Sequence, residues 1–297
     1  MEAPLIKSHA IKICSPILAA LALAACATKG PSPVASQAAA PAAKSAKTRI
    51  VATKVPVLVK ETSFYSDGLA DEYTLYKLDD AKKLTTERDR FDASRAEAIE
   101  RAAVEFAAGR PSAETIYESD GKLRSRREMG YDSAGRLISE RLIDAKGKAL
   151  SSSAYSYDAE GRKVEWRALD GSGAVKAVTS YAYGPDGLVG VEMKDSGGAP
   201  TGSIKLEYSG GKLAKRSYFG ADKALQRFEA YAYSGALLSS RETRRADGSL
   251  VSKTAFEYGG LGELVKATDY GASGSVSGYT IYEYVVREDS STETYFE

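Results

Sequence analysis

The chain is poor in the residues most enzymes use for chemistry. Histidine occurs once, at His9, cysteine twice, at Cys14 and Cys26, and tryptophan once, at Trp166. His9 and Cys14 fall in the first 25 residues, where Lys7, His9 and Lys12 accompany an apolar stretch from Ile13 to Ala25. That is the layout of a secretory signal, and the stretch is shorter than the roughly 20 residues a membrane-spanning helix needs. With residues 1–25 removed, no histidine is left and Cys26 is the only thiol. Serine–histidine and cysteine–histidine nucleophiles, the usual zinc ligand sets and an internal disulfide are thereby excluded. An excess of charge is missing too: without Lys7, Lys12 and Glu2, the 41 basic and 40 acidic residues fall to 39 of each. Both signs are interspersed and no basic stripe is present, so nucleic acid is not an expected partner.

The string Leu23-Ala24-Ala25-Cys26 resembles the lipobox of bacterial lipoproteins. The resemblance implies a lipid on Cys26, a mature chain that begins there, and the membrane as a partner through that lipid. Ala27 in place of aspartate implies export to the outer membrane. The alternative is an ordinary signal peptide with a cysteine beside its cleavage site. From residue 26 to about Lys54 the chain is rich in Ala, Pro, Ser and Lys. Such a segment buries too little to offset chain entropy and is expected to be a flexible tether, roughly 30 Å in mean span.

What the chain does have is tyrosine at a fixed period. Tyr131, Tyr157, Tyr183, Tyr208, Tyr233, Tyr258 and Tyr284 are spaced by 26, 26, 25, 25, 25 and 26 residues. A constant period of this length is the mark of a stacked repeat. Of the 19 tyrosines, 16 lie from Tyr117 onward, so the aromatic content belongs to the repeat, assigned to residues 111–297. Ahead of it, residues 55–110 read as short strands around Asp67-Gly68, followed by one helix from Asp92 to Ala108. Ser94-Arg95-Ala96-Glu97 fits a capping box, Ile99, Ala102, Ala103 and Phe106 fall at helical spacing, and Gly109 with Pro111 ends the run. This helix is expected to cap one end of the repeat sheet.

One unit shows the grammar. Val175, Ala177, Thr179, Tyr181 and Tyr183 alternate with Lys176, Val178, Ser180 and Ala182, a strand at period two. Gly184-Pro185-Asp186-Gly187 turns the chain, and Leu188 to Lys194 returns. Turns of the same kind stand at Asp132–Gly135 and Asp158–Gly161, with second turns half a period later at Asp144–Gly147, Asp170–Gly173 and Asp195–Gly198. Two turns per period predict two antiparallel strands. The expected fold is therefore all-β: an elongated antiparallel β-repeat sheet of about 25-residue hairpin units, on the order of fourteen strands, with one short N-terminal helix.

The strings Tyr155-Ser156-Tyr157-Asp158-Ala159-Glu160-Gly161-Arg162 and Gly130-Tyr131-Asp132-Ser133-Ala134-Gly135-Arg136-Leu137 resemble the signature of bacterial YD repeats, also called RHS repeats. Later units keep the aromatic pair, at Tyr181 and Tyr183, Tyr231 and Tyr233, Phe256 and Tyr258, and Tyr282 and Tyr284, but lose the Asp or the Arg. The resemblance implies winding antiparallel sheet and a cell-envelope setting. The long members of that family form a shell around a toxin. Here the period is longer, only about 180 residues are covered and no toxin-like domain follows, so encapsulation is not carried over.

Candidate binding residues are the aromatics Tyr155, Tyr157, Trp166, Tyr181, Tyr183, Tyr231 and Tyr233, whose faces suit sugars or a partner strand. The alternative for the same residues is cross-strand packing, since the pair recurs in every unit. Gly259-Gly260-Leu261-Gly262 and Gly210-Gly211-Lys212 lack phosphate-loop spacing and read as turns, and each Asp turn offers one carboxylate where calcium needs several oxygens. No cofactor or metal is expected. A lipid-facing barrel needs a continuously apolar side, which Arg124–Glu128 and Ser239–Arg245 do not supply. The expected function is a non-enzymatic, lipid-anchored envelope protein, a scaffold or binding surface for an envelope glycan or protein. The alternatives are a carboxylate-dependent glycan hydrolase and a periplasmic carrier of apolar cargo.

Overall fold

A computed structural model describes residues 46–296, and residues 48–293 form one compact unit. Signal residues 1–25, Cys26 and the tether as far as residue 45 lie outside the described residues. The chain runs through β1 (Ala46–Tyr65), β2 (Ala70–Leu78), β3 (Thr85–Asp92), β4 (Glu100–Ala107), β5 (Arg110–Glu118) and β6 (Leu123–Tyr131). It continues through β7 (Leu137–Asp144), β8 (Ala149–Tyr157), β9 (Lys163–Asp170), β10 (Val175–Gly184), β11 (Gly187–Asp195) and β12 (Pro200–Ser209). Last come β13 (Lys212–Gly220), β14 (Leu225–Ser234), β15 (Leu237–Arg245), β16 (Leu250–Tyr258), β17 (Leu264–Gly271) and β18 (Val276–Phe296). Residues 46–54, read from composition as tether, are therefore strand.

Each strand pairs antiparallel with the next, and β1 also pairs with β18, so the sheet closes on itself as an 18-stranded barrel. The expected open, elongated sheet is corrected on this point. Closure is made by residues far apart in sequence: Arg49 bonds Glu293 at 2.8 Å, Lys60 bonds Glu283 at 2.9 Å, and the Phe64 and Tyr279 rings stack at 4.8 Å. At about 4.8 Å per strand the wall is on the order of 85 Å around, too wide for opposite sides to meet. From β2 to β17, the backbones of two strands come close only where the strands are hydrogen-bonded neighbours. The wall is a single layer.

A single layer leaves little to bury. Among the described residues the buried apolar ones are Ala102, Ala113, Val191, Leu206 and Ala267, and no large side chain is fully covered. Stability must come from the hydrogen-bond ladder and from side-chain pairs across neighbouring strands, each worth about 0.2–1 kcal/mol.

The turns explain both the strand lengths and the curl. In Asp132–Gly135 the Gly135 amide donates to the Asp132 carbonyl at 2.9 Å, the Asp132 amide donates to Arg136 at 3.0 Å, and Gly135 sits at φ 79°. Only glycine takes that left-handed position without strain. The same bonds recur at 144–147, 158–161, 170–173 and 195–198. Each such turn leaves a register shift beside it, as between Gly130 and Tyr131 or between Ser156 and Tyr157. Bulges increase strand twist and bend, and their repetition at both ends of the strands curls the sheet until its edges meet.

The expected helix over Asp92–Ala108 is also corrected. Glu100–Ala107 is β4, paired with β3 through Arg88↔Ala102 and with β5 through Ala102↔Ile116. Asp92 receives the Ser94 amide at 2.8 Å, so it holds a turn instead of starting a helix. Ala108 and Gly109, with φ 50° and 73°, are a two-residue hairpin turn closed by Ala107↔Arg110. Ala102, Val104 and Phe106 alternate as well as they spiral, and two flanking strands with open ladder groups outweigh a modest helix preference.

Candidate functional site on the tyrosine face

Because directly opposed residues share a face of the sheet, the pairings trace one face from strand to strand. Tyr76, Arg88, Ala102, Ile116, Glu114, Arg127, Glu140, Ser153, Tyr155, Trp166, Thr179 and Tyr181 all lie on it. It is called the tyrosine face below.

The seven periodic tyrosines form one device. Each phenol donates to the backbone carbonyl 20 residues earlier: Tyr131 to Pro111 (2.8 Å), Tyr157 to Leu137 (2.7 Å), Tyr183 to Lys163 (2.8 Å) and Tyr208 to Leu188 (2.9 Å). Tyr233, Tyr258 and Tyr284 do the same to Leu213, Leu238 and Leu264. The acceptor belongs to the preceding hairpin, just past its turn, so each phenol ties one unit to the one before. The register shift just ahead of each tyrosine redirects the side chain along this course.

The rest of the Tyr-Asp-x-x-Gly-Arg string completes the clamp. Asp132 accepts from the Arg136 amide at 2.8 Å and from its guanidinium at 2.7 Å, and that guanidinium lies 5.0 Å from the ring centre of Tyr157 in the next unit. Asp158, Arg162 and Tyr183 repeat the arrangement at 2.8, 2.7 and 5.0 Å. The Arg136 amide, then its guanidinium, hold the Asp132 carboxyl below the usual carboxylate range. Burial pushes the Tyr157, Tyr183 and Tyr233 phenols above theirs. Three of the seven expected site residues, Tyr157, Tyr183 and Tyr233, are thus inter-unit clamps.

Tyr155, Trp166 and Tyr181 come together. Trp166 opposes Tyr155 on one side and Thr179 on the other, and Tyr181 follows two residues on. Lys163 reaches between the rings, with its ammonium 5.5 Å from the centre of Tyr155 and 4.6 Å from that of Tyr181, and burial lowers its pKa. The Trp166 indole nitrogen is buried without a hydrogen-bond partner. Tyr231 is elsewhere, on β14, where it donates to Glu229 beside Arg216.

Sequence reasoning missed a charge ladder leading into this aromatic group. Arg88 pairs with Glu114, Arg127 stands 4.0 Å from both Glu114 and Glu140, and Glu140 accepts from the Tyr155 phenol. The signal was present: Arg88, Glu114, Glu140 and Trp166 stand 26 residues apart, in step with the repeat. The opposite face is charged as well, with Lys60–Glu283 at 2.9 Å, Lys205–Glu207 at 2.8 Å and Arg126–Glu105 at 2.5 Å. Neither face is the continuous apolar band a lipid-facing barrel presents.

No protein-family model matches the chain, and no curated protein matches it. Solved structures do. Against a crystal structure of TcdB2-TccC3 without its hypervariable C-terminal region, 74% of this chain aligns at 16% identity with a TM-score of 0.33. Against the Photorhabdus luminescens Tc holotoxin pore the figures are 72%, 14% and 0.30. The chain spans only 12% and 11% of those two proteins. A porin-like protein from Bacteroides uniformis aligns over 77% of this chain and 98% of its own length, at 10% identity and a TM-score of 0.44. At these values the likeness identifies no family for the chain.

Proposed function

We propose that this chain is a non-enzymatic, lipid-anchored envelope protein whose β-barrel serves as a scaffold and binding surface for an envelope glycan or protein. The observation that carries the reading is the single-layered wall with charged and aromatic side chains on both faces. Such a wall leaves most of its described residues at least partly exposed. Its most frequent side-chain device, the tyrosine clamp, recurs in every unit and so belongs to construction. At Tyr155, Trp166, Tyr181 and Lys163 aromatic rings and a half-buried ammonium converge on the tyrosine face, and they are the candidate contact surface there. The charge on both faces speaks against carriage of apolar cargo. Glu114 and Glu140 are bridged by Arg127, which is the arrangement of a structural ion-pair ladder more than of a glycosidase acid and base.

Cell fractionation with a Cys26→Ala control, joined to protease digestion of intact and permeabilised cells, tests the reading. The wild type should sediment with membranes and the Cys26→Ala protein should not. Equal solubility of both would remove the anchor from the proposal, and release of sugar from purified envelope glycan by the protein would replace scaffold with hydrolase.

A further inference from the structure

The barrel seam holds a cavity that neither the repeat nor the clamps explain. It measures about 610 Å³, within the roughly 300–1,000 Å³ of small-molecule sites, and opens where β1 meets both β2 and β18, on the side of the sheet opposite the tyrosine face. Phe64 and Tyr73 line it, and each ring is backed by a partner: Phe64 stacks on Tyr279 at 4.8 Å and 11°, and Tyr73 on Phe91 at 4.6 Å and 5°. Each wall is therefore an aromatic surface supported from behind, and the Lys60 ammonium stands 5.8 Å from the Tyr73 ring centre. Ala70 and Ala93 leave space between them, and Lys60 and Glu283, bonded at 2.9 Å, stand at the rim as a pair of zero net charge.

The floor is Thr62, which is 8% exposed and whose hydroxyl is buried with no hydrogen-bond partner. Leaving a buried hydroxyl unpaired costs free energy, and valine would fill the same volume without that cost. One step of roughly 120° in χ1 carries the threonine hydroxyl to the position its methyl now holds, and the proposed ligand would meet the hydroxyl there. Two backed aromatic walls, a hydroxyl in reserve and a neutral pair of one donor and one acceptor group match a molecule with apolar C–H faces, several hydroxyls and no net charge.

We propose that the seam cavity binds a neutral pyranose unit of an oligosaccharide, stacked on Tyr73 and Phe64, with its hydroxyls on Thr62, Lys60 and Glu283. This names a ligand class for the binding protein proposed above and rests on that reading, although the cavity is distinct from the Tyr155 cluster.

Isothermal titration of the purified full chain in detergent, with chitotriose and with maltotriose as probes, tests it. Saturable binding of at least one is expected, weakened tenfold or more by Thr62→Val and by Tyr73→Ala, and unchanged by Tyr208→Phe, a clamp on β12. Thr62→Val should keep or raise the melting temperature, so its loss of binding would not be a loss of fold. Absence of binding by both probes, undiminished binding in Thr62→Val and Tyr73→Ala, or tighter binding of a trigalacturonate than of either neutral probe would overturn the assignment. Membrane fractionation separates the two readings: a protein that sediments through Cys26 but binds no sugar fails only at the cavity, and one that binds sugar without an anchor fails only at the envelope.

Discussion

At the scale of single residues, the protein is held by polar bonds that a buried core would make unnecessary. Tyr157 donates to Leu137 across a unit boundary, so Tyr157→Phe should cost about 1 kcal/mol in urea unfolding with the m-value unchanged. Lys223 occupies, at φ 61°, the turn position that glycine holds elsewhere, as at Gly198 and Gly248. Lys223→Gly should therefore stabilise by about 0.5–1 kcal/mol, read from the same denaturation curve. The turn carboxylates set the acid limit. Asp132 is held low by the Arg136 amide and guanidinium, and Asp170 by the Ser172 hydroxyl, then Lys176 and the Ala174 amide. A folded-state pKa below the unfolded value gives stability that is complete above the ordinary carboxylate pKa of about 4 and is lost as pH falls through the lowered values. Phenols act at the other end. Burial raises Tyr157, Tyr183 and Tyr233, so their contribution is complete below about pH 10 and is lost as pH rises through the raised values. The melting temperature should form a plateau from about pH 5 to 9 that falls on both sides, and Asp132→Asn should lower the plateau and flatten its acid limb.

At the scale of the element, the hairpin unit is the quantum of the wall. Removing Asp158 to Tyr183 takes out β9, β10 and the turn before β9, and it joins Tyr157 to Gly184 where Tyr183 had been. Sixteen strands with an intact clamp sequence should close into a narrower barrel and unfold in one cooperative step by circular dichroism. Removing one strand should not, because β1 and β18 would then meet parallel. The sequence was legible at this scale wherever the signal was local: the Asp-x-x-Gly turns and the alternation within β10 are covalent neighbours acting on each other. It misled at Glu100–Ala107, where alanines fit either period and the decision lay with Arg88 and Ile116 on the flanking strands. The candidate site divides the same way. That Tyr155 and Trp166 share a face follows from a hairpin, whereas the ladder of Arg88, Glu114, Arg127 and Glu140 requires the register of several strands at once.

At the scale of the whole molecule, closure is the decisive event, and it rests on one seam. Phe64→Ala removes the stack on Tyr279, and hydrogen exchange should rise in β1 and β18 while the ladders of β6 to β15 stay protected. Uniform loss of protection would show instead that wall and seam unfold together. From β6 onward the sequence by itself determined the strands, the turns, the period and the pairing of each strand with the next, because each depends on residues within one or two units of each other. Only the tertiary structure decided that the sheet closes, that β1 lies beside β18, and that Thr62 and Phe64 come together with Glu283 in one cavity. The physical reason is distance along the chain. Those contacts join residues more than 200 positions apart, such as Lys60 and Glu283, and they form only when the small bends of many successive hairpins have added up to a full turn.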